Sequence, residues 1–286
     1  MKTIKYFFEF IIIKFFFFIF KIFGYKISST IGEFLGKFFG PIFRSNNKIL
    51  NNLEKSNVGN SNHERNKMIS NMWGNYGRIL SEYIFLNKFK NGELNDHIKI
   101  NGLNNLDKII KEKKPVVFIS GHFNNFELMA MQIENYGVKV AAIYRPLNNF
   151  FLNGTMETIR KEHICKNQIK KGRSGTRKIL EEIKKGHSIA LMIDQRVSEG
   201  VSAKLFGRNC LTTTIPAQLV KKYNCDVVPV YVERKNNTYF DMYFYEPLKF
   251  NKDKSILDIT SELNKVLEKF ILKNPSQWIW SHDRWK

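Results

Sequence analysis

Between residues 115 and 235, short apolar runs alternate with helical patterns, and this alternation limits the possible folds more than any other feature of the chain. "PVVFIS" (115–120), "VKVAAIYRP" (138–146), "SIALMID" (188–194) and "CDVVPVYVER" (225–234) read as strands. "FELMAMQIENYG" (126–137), "SGTRKILEEIKKG" (174–186) and "TIPAQLVKKYN" (214–224) read as the helices between them, the first two ending at glycine. "TYFDMYFYEPL" (238–248) adds an antiparallel strand, and "SILDITSELNKVLEKFILKN" (255–274) a last helix. Such alternation implies a layered α/β sheet, largely parallel, with functional residues at the carboxyl ends of its strands.

Upstream, "MISNMWGNYGRILSEYIF" (68–85) has helical periodicity, with Trp73, Tyr76, Leu80, Tyr83 and Ile84 near one stripe. The polar stretch 56–66 reads as the loop before it. The front of the chain is different. "MKTIKYFFEFIIIKFFFFIFKIFGYK" holds nine of the 25 phenylalanines and is apolar from Tyr6 to Phe23 except for Glu9, Lys14 and Lys21. That length is just enough to enter or cross a bilayer core of roughly 30 Å. No small-residue cleavage site follows it, which favours a retained anchor over a removed signal peptide. Lys14 and Lys21 share a helical face nearly opposite Lys5 and Glu9, so an inserted anchor is favoured over a surface-lying helix. The expected organisation is an anchor over residues 1–25 and a catalytic or binding domain over 26–286.

The 46 Lys+Arg against 26 Asp+Glu give a net charge of +20, which points to polyanionic partners. Part of that excess reflects the Lys, Asn, Ile and Phe usage that an AT-rich genome favours. No recognisable nucleic-acid-binding module accompanies the charge. Cys165, Cys210 and Cys225 are odd in number and lack metal-ligand spacing, as expected of reduced thiols in a cytosolic compartment.

The stretch "SGHFNNFE" (120–127) follows the first strand, which places His122 in a strand-end turn. Asn124 and Glu127 also have the spacing of a helix-capping pair. Capping and catalysis are compatible, because a carboxylate in the first helical turn can also orient a preceding histidine. His63, His97, His163, His187 and His282 have no such setting, and most of them read as exposed. Other strand ends carry Arg145 in "IYRP" and Asp194, Gln195 and Arg196 in "MIDQR", with Arg160 in the intervening "METIRKEH". Taken singly, each is better explained as a cap or a solubilising charge. There is no G-x-S-x-G elbow, no G-x-x-x-x-G-K-[ST] phosphate loop and no His/Cys/Asp cluster suited to a metal.

Five stretches in order resemble the bacterial lipid A biosynthesis acyltransferase family: "GHFNNFE" as an H-x-x-x-x-E box, "IYRP", "KKGRSGTRKILEEIKKGHSIALMIDQ", "FGRNCLTTTIPAQLVKKYNCDVVPVYVER" and the closing "PSQWIWSHDRWK". The resemblance is loose before Asn52 and close from Trp73 onward. It implies a layered mixed sheet of the glycerolipid-acyltransferase type with an N-terminal membrane-anchoring helix. It also implies an inner-membrane enzyme with a cytoplasmic active site, moving a fatty acyl chain from acyl carrier protein to a hydroxyl of a lipid A precursor, an anionic glycolipid. Carried over by position, His122 becomes the general base, Glu127 its orienting partner, and Arg160 and Asp194 further catalytic residues. Arg145, Gln195 and Arg196 become substrate-binding candidates. The sequence around Arg160 departs from the family pattern. A thioester donor carries its own activation, so no metal or cofactor is expected. Its oxyanion would need a donor, either Arg160 or the backbone amides after His122. Two alternatives stand beside this reading: acylation of another glycolipid or a glycerophospholipid, and a basic membrane-binding protein without the chemistry.

Overall fold

The computed structural model describes residues 2–286. The elements, in chain order, are α1 (Lys2–Phe43), α2 (Asn46–Lys55), α3 (Asn62–Glu82), α4 (Leu86–Lys90), β1 (Ile98–Asn101), α5 (Leu103–Glu112), β2 (Val117–Ser120), α6 (Glu127–Asn135), β3 (Val140–Tyr144), α7 (Phe150–His163), β4 (Asn167–Lys170), α8 (Arg173–Lys184), β5 (Ser188–Met192), β6 (Val201–Leu205), β7 (Arg208–Thr212), α9 (Ile215–Tyr223), β8 (Val227–Lys235), β9 (Tyr239–Phe244) and α10 (Ile256–Lys273).

Seven strands form one sheet in the order β1-β9-β8-β2-β5-β3-β4. Every pairing is parallel except β8 with β9, which is antiparallel as the sequence indicates. All four residues of β2 are buried, which is why this strand reads as an unbroken apolar run. Successive side chains point to opposite faces. Val117 and Ile119 accordingly pack into one core cluster with α9 and α10, and Phe118 into a second with α4, α5 and α6. The strands without a clear sequence signal, β1 and β4, are the two edges, where half-exposed positions need fewer apolar residues. The separate β6–β7 hairpin turns through Phe206 and Gly207 at φ 52° and 70°, a left-handed turn made without the usual Asn-Gly signal.

A break at Gly24 separates most of the segment expected as an anchor from the helical stretch that follows; of the range 1–25, Met1 lies outside the described residues. The helix runs on to Phe43 and bends at Gly24, whose φ of 73° takes it out of helical geometry. Beyond the bend, Gly32, Gly36 and Gly40 lie against Gly77 and Trp73 of α3 so closely that a Cβ at Gly77 would collide with the Gly32 carbonyl. This glycine contact, rather than the aromatic stripe alone, sets the face that α3 buries; Leu80 from that stripe is exposed.

The arm before the bend also departs from expectation. Among the described residues, no helix is long and apolar enough to cross a membrane. Glu9, Lys14 and Lys21 interrupt the run, and one face of the arm is committed to protein. Phe17, Phe20 and Tyr25 are buried in the second core cluster. The Asn149 side chain donates to the Tyr6 carbonyl at 2.8 Å and to Glu9 at 3.1 Å. The opposite face leaves Phe7, Phe8, Ile11, Ile12, Phe15 and Phe18 exposed. The arm lies along the domain with one apolar face uncovered.

Candidate active site

Strands β2 and β5 are parallel neighbours, with Ser120 in register with Met192. Continuing two residues past that pair brings His122 and Asp194 together above the sheet's carboxyl edge. His122 Nδ1 lies 2.7 Å from Asp194 Oδ1, and the His122 backbone N–H donates to Oδ2, also at 2.7 Å. The Trp278 indole N–H adds a third bond to Oδ2 at 2.8 Å. Asp194 is buried. Burial alone would raise its carboxyl, but the His122 charge and these hydrogen bonds outweigh it and pull the group down to about 2. The same contact acts in reverse on the imidazole. Burial opposes its protonation, and the Asp194 carboxylate more than offsets this, holding His122 above its ordinary value. An ionised Asp194 can only accept, so the proton of the neutral ring sits on Nδ1 and the lone pair on Nε2.

Glu127 opens α6, where the helix N-terminus favours a carboxylate. Its Oε1 accepts from Arg160 Nε and Nη2, both at 3.0 Å, and from the Tyr83 hydroxyl at 3.0 Å. Burial disfavours the Arg160 charge, but Glu127 more than offsets it and Arg160 is held above its ordinary value. Its guanidinium carbon also sits 5.4 Å from the Tyr144 ring centroid and 5.9 Å from that of Tyr83. One nitrogen, Nη1, is buried without a partner.

These groups border a cavity of about 420 Å³. Its wall is apolar along Met129, Ala130, Ala142, Ala190 and Met192, and polar at His122, Arg160 and Gln195. Gln195 Nε2 lies 3.4 Å from His122 Nε2. Arg145 and Lys171 line the mouth, close enough that Arg145 adds to the effect of burial in lowering the Lys171 ammonium. An apolar slot with a basic rim and a histidine lone pair suits a long acyl chain carried by an anionic molecule.

The sequence profile described as "Bacterial lipid A biosynthesis acyltransferase" matches residues 1–286. The chain belongs to that family. It is 25% identical over 266 residues to the lipid A biosynthesis palmitoleoyltransferase of Escherichia coli K12, covering 92% of this chain and 86% of that one. The lipid A biosynthesis lauroyltransferase of the same strain is 24% identical over 269 residues, with the same coverages. Among solved structures, the 1-acyl-sn-glycerophosphate (LPA) acyltransferase PlsC from Thermotoga maritima superposes with a TM-score of 0.44 at 12% identity, over 89% of this chain and 99% of that one.

Within this lipid A acyltransferase-family chain, His122, Glu127, Arg160 and Asp194 come together as two pairs, and two expectations are corrected. Asp194, not Glu127, holds the His122 ring; Glu127 is occupied with Arg160 and Tyr83. The Asn124–Glu127 capping pair does not form either. Asn124 is buried at φ 46° and donates to the Val232 carbonyl and to Gln277 Oε1, while no side chain caps α6.

Two further readings change. The amides after His122 are not free for an oxyanion, because Phe123 N–H donates to the Gly121 carbonyl and Asn124 N–H to that of Gln277. Arg196 is not part of the cavity wall: its Nε donates to the carbonyl of Lys286 and ties down the chain end. Three site residues escaped sequence reasoning. Tyr83 was legible only as part of a helical stripe, and Trp278 and His282 lie in the closing "PSQWIWSHDRWK". That stretch returns to the site through an isolated bridge between Trp278 and Phe123. His97, expected among the exposed histidines, is buried against Tyr239 with ring centroids 4.3 Å apart.

Proposed function

We propose that this chain transfers a fatty acyl chain from an acyl-carrier-protein thioester to a hydroxyl of a lipid A precursor, with His122 as general base. The observation that carries the proposal is the His122–Asp194 contact, which keeps the imidazole proton on Nδ1 and leaves the Nε2 lone pair at an apolar, basic-rimmed cavity. The names of the relatives support lipid A as the acceptor. Acylation of another glycolipid or a glycerophospholipid is the second reading.

In the forward step the acceptor oxygen attacks the thioester carbonyl carbon while its proton passes to His122 Nε2. The carbonyl π pair moves to oxygen. A positioned base of this kind contributes about 10²–10⁴ in rate. Asp194 stabilises the imidazolium and keeps the ring's orientation. Collapse of the tetrahedral adduct breaks the carbon–sulfur bond, and the departing thiolate takes the proton back from His122. An ester and a free thiol result. Arg160, with its unpartnered Nη1, is one donor suited to the developing oxyanion. Glu127 acts through Arg160, which it holds by two hydrogen bonds. The apolar face of α1 would lie in the surface of the inner membrane, with the cavity on the cytoplasmic side.

The test is reconstitution. Purified full-length protein would be incubated with acyl-carrier-protein thioester and lipid A precursor, and the product read by mass spectrometry as one added acyl group. Transfer to a glycerophospholipid but not to the glycolipid would move the acceptor to the second reading. Transfer to neither would leave only the binding-protein alternative.

A further inference from the structure

Of the closing residues 275–286, His282 lines the cavity, and its side chain has no part in the steps above. Asn52 Nδ2 holds the carbonyls of Trp280 and His282 at 2.9 and 3.3 Å, and Trp278 and Trp280 are both buried. This places the His282 ring in the cavity wall beside His122, Gln195 and Thr213. The Arg196 backbone N–H points at His282 Nε2 from 3.0 Å. A backbone amide can only donate, so Nε2 must carry a lone pair and the ring proton must sit on Nδ1. Among the hydrogen bonds of the described residues, Nδ1 has no partner. Both histidines of the cavity thus hold the Nδ1–H tautomer but leave opposite groups unpaired by backbone or carboxylate: His122 its Nε2 lone pair and His282 its Nδ1–H.

The surroundings keep the second ring neutral. Burial disfavours its charged form, and the Asp194 carboxylate opposes this. The cations Arg284, His122 and Arg44 side with burial, and His282 is held below its ordinary value. Arg284 matters here because it is fully buried with no carboxylate partner. It donates only to the Leu211 carbonyl at 2.5 Å and to Thr212 Oγ1 at 2.7 Å, so its charge is not neutralised locally. A neutral imidazole N–H of this kind can polarise a carbonyl without giving up its proton.

Building on the acyl-transfer reading, we propose that His282 is a catalytic hydrogen-bond donor, its Nδ1–H bonding the thioester carbonyl oxygen as that oxygen gains charge while His122 takes the hydroxyl proton. No proton leaves His282. The electron pair that reaches the oxygen returns to carbon when the thiolate departs. The turn supplies no donor from the Phe123 or Asn124 amide, which leaves the oxyanion to side chains, with His282 joining Arg160.

Steady-state kinetics of the full chain with both substrates in mixed micelles would test this. His282→Ala is expected to lower kcat by roughly 10²–10³-fold with KM for either substrate little changed. His282→Asn, whose amide nitrogen falls near the Nδ1 position, is expected to recover at least about tenfold of that loss. Imidazole ¹⁵N NMR of the unmodified protein should show His282 as the Nδ1–H tautomer, titrating below the ordinary histidine value. A near-native kcat for His282→Ala, an Asn variant no better than Ala, or an Nε2–H tautomer would each overturn the proposal. If the unmodified protein transfers no acyl group although the Nδ1–H tautomer is present, the acyl-transfer reading fails and takes this role with it. A working enzyme beside an unaffected His282→Ala sinks this role alone.

Discussion

His122 and Asp194 each stand two residues beyond Ser120 and Met192, a register pair of adjacent parallel strands, and their side chains meet at 2.7 Å. The contact is double, since the His122 amide binds the second carboxylate oxygen. Ring orientation and turn geometry are therefore set by one buried group. Asp194→Asn should keep the fold but lose about 10²–10⁴ in kcat, because the amide can present its NH₂ to Nδ1 and stabilise the wrong tautomer. Steady-state kinetics alongside circular dichroism would check it; a native rate would remove Asp194 from the mechanism.

The same pair predicts the pH dependence. On the proposed mechanism neutral His122 is the active form, and Asp194 holds its pKa above the ordinary 6.5. The rate kcat/KM should therefore rise with pH along a limb centred above 6.5. In Asp194→Asn whatever activity survives should show that limb moved to lower pH, since a raised value falls when the carboxylate's charge is removed. A pH–rate series on both proteins reads the shift directly, and an unmoved limb would mean that another group titrates.

Glu127 and Arg160 should behave as one unit separate from the histidine pair. A double-mutant cycle of Glu127→Gln with Arg160→Lys should show coupling of about 0.5–3 kcal/mol in transition-state stabilisation. The corresponding cycle of Glu127→Gln with His122→Ala should be nearly additive. A larger coupling to His122 would restore the glutamate as the ring's partner.

Near the turn that carries His122, Glu82 accepts from Arg234 Nη1 and Nη2 at 2.6 and 3.0 Å, from Ser29 at 2.7 Å and from Asn125 at 3.2 Å. The ion pair is almost wholly buried. Removing one partner strands the other, so Arg234→Met should cost about 3–5 kcal/mol of stability. Glu82→Gln/Arg234→Met together should cost less than the sum of the two. Denaturant unfolding would measure both, and a neutral Arg234→Met would show that water reaches Glu82.

The membrane prediction concerns side chains rather than deletion, because removing residues 1–25 would also remove Phe17, Phe20 and Tyr25 from the core. Replacing exposed Phe8, Phe15 and Phe18 together by serine should leave the melting temperature unchanged. Cosedimentation with anionic vesicles should fall, and the remaining binding of the native chain should survive high salt. Release of the unmodified protein by salt alone would assign the contact to its +20 charge instead.

The sequence by itself determined most of the sheet. The central strands β2, β5 and β8 are buried along most of their length, and β3 over its first two residues, and so are written as compact apolar runs; β9 was legible as antiparallel from its place after the last of them. The residue types of the site were legible for the same reason, since polar residues that directly follow such runs stand at the sheet's carboxyl edge. What only the tertiary structure decided is which of them touch. Glu127 is five positions from His122, yet Asp194, 72 positions away, holds its ring, because β5 and not β3 lies beside β2. Strand order is a matter of how crossovers pack, and no local pattern records it. The protein-facing side of α1 was hidden in the same way: apolar composition cannot distinguish a face bound for lipid from one packed on protein, and the contacts of Asn149, Phe17 and Tyr25 mark the latter. His282 shows the limit most plainly. Its neighbours in sequence say nothing of a cavity, and its tautomer is set by the backbone amide of Arg196, 86 residues away, through a loop that only the folded chain brings within 3.0 Å.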